Sequence, residues 1–431
     1  MISLILLAIM VSLMALRVPV SISIGIAVLV ALIVGDFPLD VIPHLMTDGL
    51  DSFPLLAVPF FVLAGNLMNA GGVTERIFAF ARATFSPIRG GLAQVNVAAS
   101  MIFAGMSGAA LSDLAGLGAV EMQAMRDNGY PGDVSAAVTL ASCTVGPIIP
   151  PSIVLIVYGL ATNTSVGRLF LGGVFSGLLI GVILMVFISL WVRVKRTPWG
   201  QPEAFHFREF WRTFRGGALA LFSPVLVIGA LVMGVASPTE VGALAAAYAL
   251  FVGLVYGELN WPRLRACLID STITTAVIMY LIAVSIVMGW IITIERIPHD
   301  AAQIIANLVQ SPVAGIMVIN LFLIFVGMFL ETLPALLILS PILLPVVKIF
   351  HINPVHFGVI ICFNLIIGII TPPMGIGLFV AARVANLTPE AILRKVLPLL
   401  IPLIAGLVII SLVPQLTLWL PNKVFGVIPG H

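Results

Sequence analysis

Apolar runs long enough to cross a bilayer recur along nearly the whole of this sequence, at about 2–34, 55–72, 90–125, 134–161, 165–192, 217–256, 272–294, 312–349, 354–386 and 390–420. A helix of about 20 apolar residues spans the roughly 30 Å of hydrocarbon in a membrane. Most of these runs read as single helices. In hydrocarbon every backbone N–H and C=O needs an internal partner, so such runs fold as helices packed on one another. Charge is too sparse for any other solvent. Only 9% of the 431 residues are Asp, Glu, Lys or Arg, against about 25% in a soluble domain. The fold class expected is an all-α integral membrane protein.

Several function classes are excluded by the same residues. Twenty Lys and Arg against 18 Asp and Glu leave a net charge of +2, with no basic field of the kind nucleic acid requires. Cys143, Cys267 and Cys362 stand far apart in apolar surroundings without CxxC spacing, and read as small buried hydrophobes. An intramembrane protease needs a paired nucleophile or acid. The sequence has no HExxH, GxGD or Gly-x-Ser-x-Gly, and its six histidines fall in loops or at ends, so an enzyme is not expected. The first charge is Arg17, with no basic flank before the opening run. That run is expected to stay in the membrane rather than to be cleaved as a signal.

Turn chemistry divides two of the runs. Arg17-Val18-Pro19 breaks the first and Ser237-Pro238-Thr239-Glu240 the sixth, so each reads as two short helices. Orientation is set by the bases. The stretch 193–215 carries Arg193, Lys195, Arg196, Arg208, Arg212 and Arg215, which makes it cytoplasmic by the positive-inside rule. Arg76, Arg82 and Arg89 agree, and the stretch 35–54, with Asp36, Asp40, Asp48, Asp51 and no base, falls on the outer side. The alternation closes only if 90–125 and 312–349 turn back within the membrane. Each holds a polar, Gly-rich or Pro-containing tip, as a re-entrant hairpin does.

An internal repeat ties each hairpin to the double-proline stretch after it. Phe103, Gly105-Met106, Ser142, Gly146 and Pro150-Pro151 return as Phe325, Gly327-Met328, Asn364, Gly368 and Pro372-Pro373, every pair 222 residues apart. Five spans separate the two hairpins, and an odd number reverses direction, so the second copy is inverted: hairpin one opens to the cytoplasm and hairpin two to the outside. Inverted repeats with sites at broken helices near the midplane are characteristic of secondary transporters. A channel is disfavoured, because the polar groups converge at two tips rather than lining a pore in rings.

The double prolines carry the chemistry. In Gly146-Pro147-Ile148-Ile149-Pro150-Pro151-Ser152 and Gly368-Ile369-Ile370-Thr371-Pro372-Pro373-Met374-Gly375 they remove amide donors and clash with the preceding turn, so the helix unwinds. The carbonyls freed at membrane depth need partners, and a dehydrated monovalent cation is a natural one. The competing reading of either break is a kink healed by Ser or Thr hydroxyls, but two copies at a constant distance from a Gly-Met tip favour ion coordination. Ser107 at tip one and Thr371 at break two each add a neutral hydroxyl oxygen beside such carbonyls. Tip one reads Gly105-Met106-Ser107-Gly108-Ala109-Ala110-Leu111-Ser112-Asp113, and tip two Gly327-Met328-Phe329-Leu330-Glu331-Thr332-Leu333-Pro334. Intramembrane acids are costly and mark function by default. For Asp113 and Glu331, support of the tip and direct ligation both remain open. Ser142 and Asn364, one turn before each break, read as healing the freed backbone. Arg383 lies about 10 residues past Pro373, roughly 15 Å at 1.5 Å per residue, and is expected to snorkel to the cytoplasmic headgroups.

The hairpin from Gly105-Met106-Ser107-Gly108 to Gly118, the Gly146-to-Ser152 stretch, the Ser237-Pro238-Thr239-Glu240 break and the Gly368-to-Gly375 Thr-Pro-Pro stretch together resemble the large membrane subunit of the tripartite ATP-independent periplasmic (TRAP) transporters. The resemblance covers essentially the full chain. Ser237 stands where the family often has Thr. It implies an inverted-repeat, elevator-type secondary transporter with two re-entrant hairpins and two discontinuous helices, in a bacterial inner membrane. Scaffold helices would fill 1–89, a first transport unit 90–161, connecting scaffold 162–311, a second transport unit 312–386, and a last scaffold helix 387–431. It further implies sodium-coupled uptake of an organic acid received from a soluble periplasmic binding protein. A small four-helix subunit, expected as a separate chain, would brace the scaffold. Carried onto these residues, two Na+ sites would draw on Ser107, Gly108, Ser112, Gly146 and Pro150, and on Glu331, Thr332, Gly368, Thr371 and Met374. Substrate would lie between the tips, against Ser107, Asp113, Ser152, Thr332 and Gly375. The alternative is a stand-alone sodium-coupled dicarboxylate or citrate carrier that needs no binding protein.

Overall fold

The computed structural model describes residues 2–16, 18–108, 110–300, 303 and 311–427, with the side chains of residues 3, 4, 105–107 and 112 outside that description. Every regular element among the described residues is a helix. The opening run forms α1 (Ile2–Ala15) and α2 (Val20–Val34), broken at the expected proline and packed against each other. The acidic outer stretch is not merely a loop. It holds α3 (Val41–Leu50), whose Ile42, Leu45 and Met46 recur at helical spacing and pack on the core, followed by a single turn at Phe53–Leu56.

Next come α4 (Ala57–Ala70) and α5 (Val73–Phe85). The latter is amphipathic, burying Val73, Ile77, Phe78 and Ala81, while Arg82 faces out to pair with Glu203 at 3.2 Å. Hairpin one is built from α6 (Leu92–Ser107), α7 (Ala110–Ala115) and α8 (Leu117–Asp127). Broken helix one comes after it as α9 (Gly132–Ser142) and α10 (Ile153–Thr162), bent by 45° across a single turn at Gly146–Ile148.

Four long helices connect the repeats: α11 (Val166–Lys195), α12 (Phe207–Val232), α13 (Pro238–Val255) and α14 (Trp261–Ile294). Local chemistry fixes their starts. The Ser237 hydroxyl and the Glu240 carboxylate form a reciprocal cap on α13, and Asn260 Oδ1 accepts the Arg263 N–H at 3.0 Å to start α14. That cap places the start of α14 eleven residues ahead of its apolar run. Its 34 residues therefore reach well beyond the hydrocarbon.

Hairpin two is α15 (Pro312–Gly327) and α16 (Thr332–Ile349); broken helix two is α17 (Pro354–Gly368) and α18 (Ile376–Ala385); α19 (Pro389–Leu412) and α20 (Gln415–Phe425) end the described chain. Among the described residues seven helices are long and apolar enough to cross a membrane singly, and an eighth span results if the bent pair α9–α10 crosses as one. The broken helices occupy the centre of the molecule, with 134–142 and 355–368 wholly buried. Inward-facing amides hold them there. Asn364 donates from Nδ2 to both the backbone and the side-chain oxygen of Asn320 at 3.0 Å, and Asn320 Nδ2 donates to Ser411 Oγ at 2.9 Å. In the first repeat Ser142 Oγ donates to Asn96 Oδ1 at 2.5 Å, while Asn96 Nδ2 donates to Thr139 Oγ1 at 2.7 Å. Ser142 and Asn364 thus fasten each broken helix to the first arm of its hairpin.

Candidate transport site

Hairpin two closes directly on its broken helix. A Cβ added to Gly368 would stand 2.5 Å from Gly327 Cα, so glycine on both sides is what lets the two backbones touch. The Gly375 N–H donates to the Met328 carbonyl at 3.2 Å, tying tip to break a second time. Within the break, Thr371 is buried and its Oγ1 donates to the Ile367 carbonyl at 2.7 Å, leaving its lone pairs for an acceptor role. Met374 in the same turn is 52% exposed.

Hairpin one meets its own break in the corresponding way. Gly108 takes a left-handed conformation, φ +64°, and sits so close to the Pro151 carbonyl and the Ile153 N–H that a side chain there would meet both. Ser152, fully buried, caps α10 by accepting the Leu155 N–H at 3.2 Å and donates to the Pro147 carbonyl. Its hydroxyl thereby recovers part of what the prolines took away. Pro150 is buried, and both the Pro150–Pro151 and Pro372–Pro373 bonds are cis. Asp113 is buried behind the tip, with Oδ2 against Gly146. The side chains of Ser107 and Ser112 lie outside the described residues.

Between the tips lies a cavity of about 390 Å³, lined by Gly108 and Leu111 of tip one, by Glu331 and Thr332 of tip two, by Pro147, Ile153 and Ile369 at the breaks, and by Ile273, Thr274 and Val277 of α14. A second cavity, about 480 Å³, continues along the same three helices: Val157 and Leu160 of α10, Ser285 and Gly289 of α14, Leu337 and Pro341 of α16, with Asp48 and Ser52 at its outer end. Gly108, Glu331 and Thr332 therefore share one chamber. Asp113, Ser152 and Gly375 are absent from its described lining and support its walls from behind.

The α14 wall was not foreseen from the sequence, because the repeat directs attention only to hairpins and breaks. The run Ser271-Thr272-Ile273-Thr274-Thr275 inside an apolar helix was its available signal. Glu121 on α8 was also missed. It is fully buried, neither carboxyl oxygen meets a hydrogen-bond partner among the described residues, and Asp113 is its charged neighbour. Among the described residues no three His, Cys, Asp or Glu side chains come together in a way that could hold a metal. The oxygens on offer at the breaks are hydroxyls and carbonyls, joined at the first break by the Asp113 carboxylate against Gly146, a set suited to a hard monovalent cation.

Two inverted hairpins closing on two discontinuous helices, with a chamber between their tips, define a polytopic membrane transporter rather than an enzyme. The fold is shared with the YdaH transporter of Alcanivorax borkumensis, at a TM-score of 0.59 and 14% identity over 85% of this chain and 86% of that one. The family described as "Tripartite ATP-independent periplasmic transporter, DctM component" matches residues 7–416, and the chain belongs to it. It is 44% identical to the sialic acid TRAP transporter large permease protein SiaM of Vibrio cholerae, over 88% of this chain and 89% of that protein. It is 39% identical to the C4-dicarboxylate TRAP transporter large permease protein DctM of Pseudomonas aeruginosa, over 86% and 87% respectively.

Proposed function

We propose that the protein is the large permease of a sodium-coupled importer that carries an organic acid across a bacterial inner membrane. The chamber shared by Gly108, Glu331 and Thr332 carries this reading, because it sits where both tips meet both broken helices. The second cavity, which follows the same three helices, would give it access from the outer side, where a periplasmic binding protein would deliver its cargo. Sodium would be held at the two tip-to-break contacts, by the neutral oxygens of Ser107 and the break near Gly146 and Pro150, and by those of Thr371 and the break near Gly368. Bound there, it would replace the hydrogen bonds the prolines remove and bring positive charge to an acid.

The hairpins and broken helices would move as one body against α4, α12, α13 and α14, in an elevator movement. The packing of each tip on its own break supports this, since each hairpin is fastened to the unit that would move. A separate small membrane subunit would brace the fixed helices. The relatives that this chain covers to 87% and 89% are both named large permeases.

The test is uptake into proteoliposomes holding this chain and its small subunit, with a binding protein and candidate acids added outside. Uptake should need an inward sodium gradient and loaded binding protein. Equal uptake on a potassium gradient would refute sodium coupling, and full uptake without binding protein would make the chain a stand-alone carrier.

A further inference from the structure

We propose that a phospholipid with an ethanolamine headgroup binds in the cavity between α5 and the start of α12, on the side that the positive-inside rule makes cytoplasmic. The cavity measures about 630 Å³ and shares none of its described lining residues with the transport chamber. Its size falls within the roughly 300–1,000 Å³ of small-molecule sites. Three segments wall it: α5 with Phe78 and Arg82, α12 with Glu209 and Arg212, and the linker 203–206 between them. Backbone bonds hold the linker in place. The Glu203 N–H donates to the Ser86 carbonyl at 3.1 Å, and the Gly90 N–H donates to the Gly200 carbonyl at 2.9 Å.

Depth and charge identify the occupant. α12 is long and apolar enough to cross the membrane, and Arg212 stands five residues before Gly217, where its apolar run begins. At 1.5 Å per residue that is about 7.5 Å, the level of a headgroup zone roughly 5–7 Å thick on each side of the hydrocarbon. Phe205, Phe207, Trp211 and Phe214 are exposed around this level, rings suited to acyl chains, with tryptophan where membrane proteins favour it. Arg82 pairs with Glu203 at 3.2 Å and Arg212 with Glu209 at 3.6 Å, so the lining sets two bases against two acids beside His206. Neither pair is buried. Exposed ion pairs are worth little, so a ligand that brings matching charges can open them at small cost. A phosphoethanolamine headgroup brings both charges: its phosphate accepts from guanidinium groups, and its ammonium donates N–H bonds to carboxylates. A purely anionic headgroup would compete with Glu203 and Glu209 for the arginines and leave two carboxylates facing its own charge. A choline headgroup keeps both charges but has no N–H to donate. Phe78, Ala79 and Ala83 give the glycerol and upper acyl carbons an apolar wall.

The experiment is native mass spectrometry of the purified full-length chain, stripped of lipid in detergent and titrated with dioleoyl phosphatidylethanolamine, phosphatidylcholine or phosphatidylglycerol. The ethanolamine lipid should fill its first site at concentrations about fivefold or more below the other two. Glu203→Gln with Glu209→Gln should erase its advantage over the choline lipid, and Arg82→Gln with Arg212→Gln should weaken all three. Arg265→Gln, an exposed base on the same side of the membrane but outside the cavity, should change nothing. Melting in lipid-free detergent checks that each variant folds. Should the arginine pair fail that check, Arg212→Gln alone replaces it, because that side chain is 77% exposed. Equal binding of the ethanolamine and choline lipids by the unaltered chain overturns the proposal, as does an ethanolamine preference that survives loss of both carboxylates. Inorganic phosphate that displaces the lipid at millimolar concentration makes this a site for a soluble anion, and displacement by the added small subunit makes it a subunit contact. Either result also overturns the proposal.

Discussion

Replacing Gly368 by alanine tests the contact on which the proposed second ion site depends. A Cβ at Gly368 would stand 2.5 Å from Gly327 Cα and 2.6 Å from its carbonyl carbon. Carbon atoms pack at about 3.5–4.0 Å, so the added methyl needs about 1 Å of extra separation. Both atoms it meets belong to the backbone and cannot rotate aside. Overpacking of this kind costs about 1–3 kcal/mol. If hairpin two yields and moves off its broken helix, the oxygens that would surround sodium separate as well. An ion at a hundred times its Kd stabilises the folded state by about 2.7 kcal/mol. Gly368→Ala should therefore lower the melting point in sodium-free buffer and also lose most of the sodium-induced rise. Gly229→Ala on α12 is the control, because nothing lies within 4 Å of its added Cβ. There the better helix propensity of alanine gains up to about 1 kcal/mol, and the sodium response should stay whole. The assay is melting of the purified proteins with and without sodium, together with the sodium concentration for half-maximal uptake. Gly368→Ala with the wild-type melting point and the full sodium shift would refute the reasoning.

The same geometry sets two further outcomes. Ser107→Ala and Thr371→Ala should reduce the sodium-induced melting shift more than they reduce melting in sodium-free buffer; if Thr371 serves only the Ile367 carbonyl it bonds, its loss will lower both equally. Single cysteines at Asn128 and Ser311, both exposed at hairpin bases, should label from opposite sides of the membrane against the quiet background of three buried native cysteines; labelling from one side would rule out the inverted arrangement.

Much of this architecture was legible because its cause is local. Two prolines in a row unwind a helix wherever they stand, and a constant offset of 222 residues makes one broken unit predict the other. What stayed hidden has no such local cause. The helices α3 and α5 are short and amphipathic, so a search for continuous apolar runs passes over Asp40 to Leu50 and Glu75 to Arg82. The start of α14 depends on a cap at Asn260, outside the apolar stretch. Asp113 and Glu331 look alike as acids within hairpins. Their separation, one behind a tip against Gly146 and the other open to the chamber, is set by how the hairpins pack.

That separation shows where the repeat stops being symmetric. Residues 222 places beyond Asp113 and Glu121 are Ala335 and Leu343, and the residue 222 places before Glu331 is Ala109. Gly105, Gly146 and Pro150-Pro151 are kept in both copies as Gly327, Gly368 and Pro372-Pro373, whereas none of the three acids is. Shape has to be duplicated, since two opposed tips are needed to close a chamber between them. Charge need not be. A second carboxylate facing Glu331 across an apolar chamber would repel it, so acids beyond the first are expected away from the chamber. Both acids of hairpin one are buried outside the described lining of the chamber, Asp113 with Oδ2 against Gly146 at the first break, while Glu331 at the second tip opens into the chamber itself.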